Sequence, residues 1–294
     1  GPCEPVAAAA ALVTLKELAV VVGGSLLGFG GTQAAAALQA RLMDPVPEVR
    51  VAAAQLMLQL IEDSDEAGGN KLLMPILPLV IESVRSFAGP AGRADLLEKI
   101  LTSLAEAAQL DPAFLASDEN LLRQLWPILT DLCAPTAGRV ELDDDIQQTA
   151  MEVLVSLTAG LAGRFCEADR QPLLQQLVAL CLTWALVVEQ DVATWTNSNG
   201  DDDEELDGKA AQVGVENLDR LAEACAEAQR LDDVFMPMLF DALEQLLRAP
   251  GNGWRHQRAA VAALAQVAEH IGDESCALRR CVTFIAGRLS DEHP

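Results

Sequence analysis

Tyrosine is absent from this 294-residue chain, and all aromatic residues together make up only 4% of it. Aromatic and β-branched residues favour strands, whereas alanine and leucine, which supply much of the 51% hydrophobic content, favour helices. Nowhere do valine, isoleucine, threonine or phenylalanine alternate with polar residues through five or more positions between turn signals. The composition therefore predicts an all-α protein.

Histidine is scarce too, with His256, His270 and His293 as the complete set. None of them lies at metal-ligand spacing from cysteines or carboxylates, so we expect surface or helix-capping roles. The sequence also contains no set of nucleophile, base and orienting residue. We therefore predict that the chain is not an enzyme and binds neither a metal nor a cofactor.

Paired cysteine motifs are missing as well. Seven cysteines occur, an odd number, and no two of them form a C-x-x-C pair. Most stand among apolar helical residues, as Cys181 does between Leu180 and Leu182. We interpret them as reduced core thiols of a cytosolic or nuclear protein.

Long apolar runs are absent. The longest, Leu177–Val188, is well short of the roughly 20 residues that span a bilayer, and no secretory signal pattern is present. The sequence therefore predicts no membrane partner.

Basic residues are few: 20 lysines and arginines face 44 acids, which gives a formal net charge of −24. A field of this sign repels phosphate backbones, so we expect no direct nucleic-acid partner. Basic proteins are the natural complement of such a surface.

The most distinctive feature present is an acidic run with six carboxylates in the seven residues from Asp201 to Asp207. Such a run cannot be buried, and self-repulsion keeps it extended. We expect it to contact a basic partner, although a solvated insertion with no binding role is the alternative.

The remainder of the chain reads as consecutive pairs of amphipathic helices. First helices are predicted to begin near residues 33, 71, 119, 171, 234 and 275, close to the period of about 40–47 residues of HEAT and armadillo repeats. The one long interval holds the acidic run, which we interpret as an insertion over 190–209 within one repeat. The predicted fold is an all-α HEAT-repeat α-solenoid, stacked antiparallel helix pairs in a superhelical arc. One array of about six to seven repeats is expected over 3–294.

Two local clusters have simple structural interpretations. The glycines between Gly23 and Gly31 lack both the preceding strand and the following Lys-Ser/Thr of a phosphate loop, so we predict a flexible connection between helices. Asp143, Asp144 and Asp145 precede a predicted helix, where acids satisfy free backbone amides.

Three motifs resemble a known family. Gly253–Leu264 resembles the W-[KR]-x-[RH]-x-A-x-x-x-A-L helix start of importin-beta (karyopherin-beta) nuclear transport receptors. Val215–Ala222 is similar to that family's L-D-R helix, which likewise follows an acidic loop, and Leu289–Pro294 resembles the next D-P-H-P turn. The likeness is greatest to the larger importins that carry ribosomal proteins and histones.

The resemblance implies a monomeric receptor that shuttles between cytoplasm and nucleus and binds basic cargo, the GTPase Ran and Phe-Gly nucleoporins. It places Ran or basic cargo at the acidic loop. The matching positions here are Trp195, Asp201, Asp202, Asp203, Glu204, Glu205 and Asp207. Gly1-Pro2 is interpreted as an expression-tag scar and the chain as a central fragment of such a receptor. The alternative is another HEAT scaffold, such as a phosphatase regulatory subunit or a cytoskeletal array.

Overall fold

The computed structural model describes residues 5–22, 25–61, 70–89, 92–134, 144–187, 209–249 and 253–287, and every regular element in these ranges is helical. The predicted all-α class is confirmed. The chain divides into two compact units, Gly1–Gly160 and Leu161–Pro294.

The first unit contains three of the predicted helix pairs, α2 with α3, α5 with α6, and α8 with α9. Its helices are α1 (Pro5–Val22), α2 (Ser25–Leu42), α3 (Pro47–Gln59), α4 (Asn70–Leu73), α5 (Leu77–Ala88), α6 (Ala94–Leu110), α7 (Pro112–Leu115), α8 (Glu119–Cys133) and α9 (Asp144–Gly160). A 3₁₀ turn, Met74–Ile76, joins α4 to α5. The second helices of successive pairs pack on one another, α3 on α6 and α6 on α9.

The core of this unit is made mainly of aliphatic side chains with no exposed surface. Met57, Ile100, Leu104, Met151 and Leu154, from α3, α6 and α9, are all fully buried. Burying one such side chain contributes about 1.5–3 kcal/mol relative to leaving it in water. No helix buries its apolar side alone, so the pairs depend on their neighbours.

Turn residues and acids stand at the helix starts of this unit. The Asp44 carboxylate accepts a hydrogen bond from the Val46 backbone N–H at 3.0 Å, and Pro47 begins α3, where its missing N–H costs nothing. Asp144 and Asp145 lie in the first turn of α9, which confirms their predicted position at a helix start.

The predicted flexible glycine connection is wrong within the described residues. Helix α2 begins at Ser25 and continues through Gly28, Gly30 and Gly31. A Cβ at Gly31 would lie 2.6 Å from Cδ1 of Leu72 on α4, so the missing side chain permits two helices to approach. Helix packing therefore outweighs the unfavourable helix propensity of glycine.

The second unit contains the pairs α11 with α12 and α13 with α14, and the helix that follows them. Its helices are α10 (Ala162–Phe165), α11 (Gln171–Ala185), α12 (Lys209–Glu227), α13 (Met236–Arg248), α14 (Trp254–Val267) and α15 (Cys276–Ala286). One π turn, Leu231–Phe235, precedes α13, and one 3₁₀ turn, Ala268–His270, follows α14. Ala260, Leu264, Val267 and Ile271, which helical spacing predicts to form one buried stripe, are all buried.

Candidate protein-binding surfaces

The acidic run lies outside the described residues. All seven predicted contact residues fall between 188 and 208, a range for which the structure describes no positions: Trp195, Asp201, Asp202, Asp203, Glu204, Glu205 and Asp207. Their role stays a prediction. The two helices that flank this range, α11 and α12, are described in full.

Helices α11 and α12 approach closely at one glycine. A Cβ at Gly214 would lie 2.6 Å from the carbonyl oxygen of Cys181 and 2.7 Å from the backbone nitrogen of Ala185. Gly214 is in the second turn of α12, and Ala185 is the last residue of α11. This contact holds the end of α11 against the start of α12, so the acidic segment leaves and returns at neighbouring points.

The L-D-R segment of α12 forms a polar row. Gln212 donates a hydrogen bond to Glu216 at 2.9 Å, one turn along the helix. The Asp219 carboxylate lies 2.7 Å from Nε2 of His270, in the turn that follows α14, and this contact ties the middle of α12 to the end of α14. Arg220 donates to Asn217 at 3.5 Å. These side chains are therefore occupied partly by contacts within the unit.

The W-R-H start of α14 is also engaged in local contacts. The Gly253 backbone N–H donates to Nδ1 of His256 at 3.4 Å, which confirms the predicted capping role of that histidine. The Arg255 guanidinium lies 5.6 Å from the centroid of the Trp254 ring, within range of a cation–π contact. His270 is half-buried beside Asp219 and caps no helix start, so its predicted surface or capping role is wrong, and His293 lies outside the described residues.

An apolar groove runs between the first helices α13 and α15. It has a volume of about 410 Å³ and is lined by Phe240, Leu243, Glu244, Arg279, Arg280, Thr283 and Phe284. The Arg280 guanidinium covers the Phe240 ring at 3.9 Å from its centroid. Arg248 pairs with Glu244 at 2.9 Å, which offsets the one carboxylate of the lining. The groove thus presents aromatic and aliphatic surface with a basic edge.

The neighbouring groove between α11 and α13 has a different character. It measures about 340 Å³, and its lining includes Gln171, Gln175, Asp233 and Asp241 beside Pro237. Polar side chains dominate it, so it suits an apolar ligand poorly. Of these two grooves between adjacent first helices, the α13–α15 groove is the better candidate for an aromatic side chain.

The sequence favours apolar grooves between adjacent first helices, but it does not identify the residues that line the α13–α15 groove. Helical spacing predicts a buried stripe on α13 of Phe235, Met238, Leu239, Ala242 and Leu246, but Met238 and Leu246 are only half-buried. Phe240 and Leu243 are both buried instead. The available signal was a second apolar face on the same helix, at positions 236, 240 and 243.

Five of the six described cysteines are buried, as predicted, and Cys276 is exposed. Burial raises the pKa of the Cys181 thiol to about 12. No described helix is long and apolar enough to cross a membrane.

Residues 139–230 match the Importin repeat family, a segment that includes the acidic run and α12. The predicted resemblance to importin-beta receptors is confirmed. The match covers about a third of the chain.

Solved structures of the karyopherin Kap121p have the same fold. Kap121p bound to the SUMO protease Ulp1p superposes with a TM-score of 0.73 over 97% of this chain and 26% of that chain, at 23% identity. Kap121p bound to Nup53p gives 0.71 over 87% of this chain and 24% of that chain, also at 23% identity. The predicted HEAT-repeat fold is confirmed. No curated protein matches the chain by sequence.

The chain spans about a quarter of the length of these karyopherins. At 23% identity, the likeness shows that the fold is the same. It does not indicate which cargo this chain prefers or which of its residues make contacts.

Proposed function

We propose that this chain is part of an importin-beta-type nuclear transport receptor that binds cargo, Ran and nucleoporins without catalysing a reaction. The Importin repeat match over 139–230 carries the proposal. The solved karyopherin relatives add support, since Kap121p is bound to Nup53p in one structure and to Pho4p in another. Such a receptor is monomeric and shuttles between cytoplasm and nucleus.

The basic-cargo surface is proposed to be the acidic run together with Trp195. The net charge of −24 attracts a lysine- and arginine-rich segment, and the charge density is highest between Asp201 and Asp207. Cargo with this chemistry includes ribosomal proteins and histones, in keeping with the branch that the sequence resembles.

The nucleoporin surface is proposed to be the α13–α15 groove. A Phe-Gly segment presents an isolated aromatic side chain on a flexible backbone. The groove offers the half-buried Phe284 ring beside Arg280, which itself covers the buried Phe240 ring. An inserted phenylalanine ring can pack edge-to-face against Phe284.

Ran binding tests the transport proposal directly. The full-length receptor is immobilised and exposed to Ran loaded with GTP or with GDP. We expect retention of the GTP form and little of the GDP form, because the nucleotide state governs cargo release in this proposal. Equal or absent binding in both states contradicts a transport function.

The cargo surface is tested by replacing all six carboxylates of the run with amides and measuring the Kd of a lysine-rich peptide. We expect at least tenfold weaker binding at 50 mM salt and a flatter dependence on salt. The control removes six exposed acids elsewhere, so that the net charge is the same: Glu17, Glu98, Glu106, Asp131, Asp169 and Glu274. Equal losses in both variants would mean that only overall charge matters.

The nucleoporin groove is tested with Phe284→Ala and a Phe-Gly peptide in solution. Phe284 is only half-buried, so its removal takes apolar surface from the groove and leaves the core of the unit intact. We expect at least fivefold weaker binding, whereas Gln175→Ala in the polar α11–α13 groove leaves affinity unchanged. A Phe284→Ala variant that binds like the wild type would exclude this groove.

A further inference from the structure

Two buried cysteines from distant parts of the sequence meet inside the second unit. Sγ of Cys166 lies 3.8 Å from Sγ of Cys225, although 59 positions separate them. Cys166 follows the last residue of α10, and Cys225 lies near the end of α12. Both are nearly inaccessible to solvent, at 4% and 1% exposure. No sequence motif marks this pair, because folding alone brings the two thiols together.

The position of Cys166 leaves room for the thiols to move closer. A disulfide has a sulfur–sulfur distance of about 2.03–2.05 Å, so the pair must approach by a little under 2 Å. Cys166 caps a four-residue helix and is followed by the bend at Glu167, and not by a further helical turn. Side-chain rotation together with a small shift at a helix end can supply this approach.

The surroundings favour ionisation of one thiol of the pair. The hydrogen bond from Cys225 lowers the pKa of Cys166 more than burial raises it, and the Arg230 guanidinium lowers it further while Asp233 opposes this. Arg230 is held close because its backbone N–H donates to the Cys225 carbonyl oxygen at 2.7 Å. The second thiol is correspondingly harder to ionise: the interaction with Cys166 and burial both raise the pKa of Cys225.

We propose that Cys166 and Cys225 form a reversible disulfide that locks α10 to α12, and that a hydroperoxide is the oxidant. The Cys166 thiolate attacks one peroxide oxygen, breaks the O–O bond and becomes a sulfenic acid, while the leaving oxygen takes up a proton and departs as water. Cys225 sulfur then displaces the sulfenic hydroxyl, which leaves with the Cys225 proton as a second water. Two thiols and one hydrogen peroxide thus yield one disulfide and two waters.

The bond would close a loop that contains α11 and the whole acidic segment. Constraining a loop of this length stabilises the folded state by restricting the unfolded chain. The oxidised repeat therefore resists opening at the helices from which the acidic segment extends. Reduction by a thiol reverses the lock.

The experiment uses the full chain with Cys3→Ser and Cys276→Ser, which removes the exposed described cysteine and the one near the N-terminus. After hydrogen peroxide treatment, we expect non-reducing peptide mapping to show a Cys166–Cys225 linked peptide that dithiothreitol separates. The thermal midpoint should rise by about 5 °C or more and return on reduction. Cys166→Ser and Cys225→Ser should each abolish both changes.

Three results would overturn the proposal. The first is that peroxide produces no linked peptide under conditions that oxidise Cys276 of the unsubstituted chain. The second is a link between Cys166 and a cysteine other than Cys225. The third is a Cys166–Cys225 link accompanied by a lower thermal midpoint or a loss of helical circular dichroism. Because the peptide map is read on a chain that retains both thiols, the test does not depend on whether the serine variants fold.

Discussion

At the scale of single residues, two glycines are important because they have no side chain, which allows a neighbouring helix to pack closely. Gly31 admits Leu72 of a neighbouring helix, and Gly214 admits the backbone of α11. Neither role is visible in the sequence, because the residues that come close are more than 25 positions away. The position of Asp144 and Asp145 at the start of α9 was predictable, since acids favour the first turn of a helix whatever the rest of the fold.

We predict that Gly214→Ala destabilises the second unit by about 1–3 kcal/mol, because the added Cβ must displace the Cys181 carbonyl and the Ala185 amide. Chemical denaturation monitored by circular dichroism measures the change. The matched control is Gly163→Ala in α10, where a Cβ meets nothing within 4 Å. That variant should be neutral or gain about 0.4–1 kcal/mol by restricting the unfolded chain. Equal effects at the two positions would contradict the close-packing argument.

Arg93 joins the starts of two second helices. Its guanidinium makes two hydrogen bonds of 2.8 Å to Asp95, on α6, and a third of 3.1 Å to Glu48, on α3. Arg93 lowers the pKa of Asp95, whereas the pKa of Glu48 is lowered first by a backbone hydrogen bond and then by Arg93. Because both carboxyl pKa values are depressed in the folded state, their contribution is present above about pH 4 and is lost as pH falls through the folded values.

We therefore predict that Arg93→Gln raises the pKa of Asp95 towards its ordinary value, as measured by NMR titration of the carboxyl carbon. Arg93→Lys should have an intermediate effect, because an ammonium keeps the charge but loses the two-pronged geometry. In both variants, the free energy of unfolding should fall less between pH 4 and pH 2 than it does in the wild type. An Asp95 pKa that is unchanged in Arg93→Gln would show that the arginine contact is absent in solution.

At the scale of helices, the periodic pattern was sufficient for the long elements. First helices were predicted to begin near residues 119 and 171, and α8 and α11 begin at Glu119 and Gln171. The four-residue helices α7 and α10 were not predicted, since one turn is too short to show a period. The π turn before α13 was not predicted either, because it follows the turn after α12, where Gln229 has a φ of 58°.

A cavity created in one helix should reduce the local stability mainly of the helices that pack against it. Leu264 is fully buried on α14, and α14 contacts α11, α12, α13 and α15 within the second unit. We predict that Leu264→Ala costs about 2–5 kcal/mol and speeds amide hydrogen exchange in α12 and α13. Hydrogen exchange read by mass spectrometry should show α3 and α6 unchanged, because a repeat array transmits a defect chiefly to its nearest neighbours. Uniformly faster exchange in all helices would mean that the array unfolds as one cooperative block.

At the scale of the whole molecule, charge is the dominant physical property. A net charge of −24 on 294 residues creates self-repulsion that opposes the folded state. Most of the described ion pairs are exposed and join residues close in sequence, such as Arg230 and Asp233. Each therefore offsets little of the repulsion between like charges.

We predict that raising sodium chloride from 20 to 300 mM increases the thermal midpoint, since salt screens the repulsion more than it weakens exposed pairs. The variant with six amides in place of the acidic run should show a smaller increase, because part of the repulsion is already gone. Differential scanning calorimetry provides the measurement. A midpoint that falls with salt would indicate that attractive pairs outweigh the repulsion.

The candidate sites differ in how well the sequence alone predicts them. The acidic run was recognisable because six carboxylates within seven residues keep a segment exposed to solvent whatever the fold around it. The α13–α15 groove and the Cys166–Cys225 pair were not, because each is assembled from residues of different helices. Sites formed within one segment can be read from the chain, whereas sites formed between segments require the packing.

The contact between Gly214 and Ala185 has an evolutionary consequence. Because this contact holds α11 and α12 together, the acidic segment between them can lengthen, shorten or change its composition at little cost in free energy. Each doubling of its length costs about 0.6 kcal/mol. Related chains can therefore diversify this segment while the two helices that flank it stay the same.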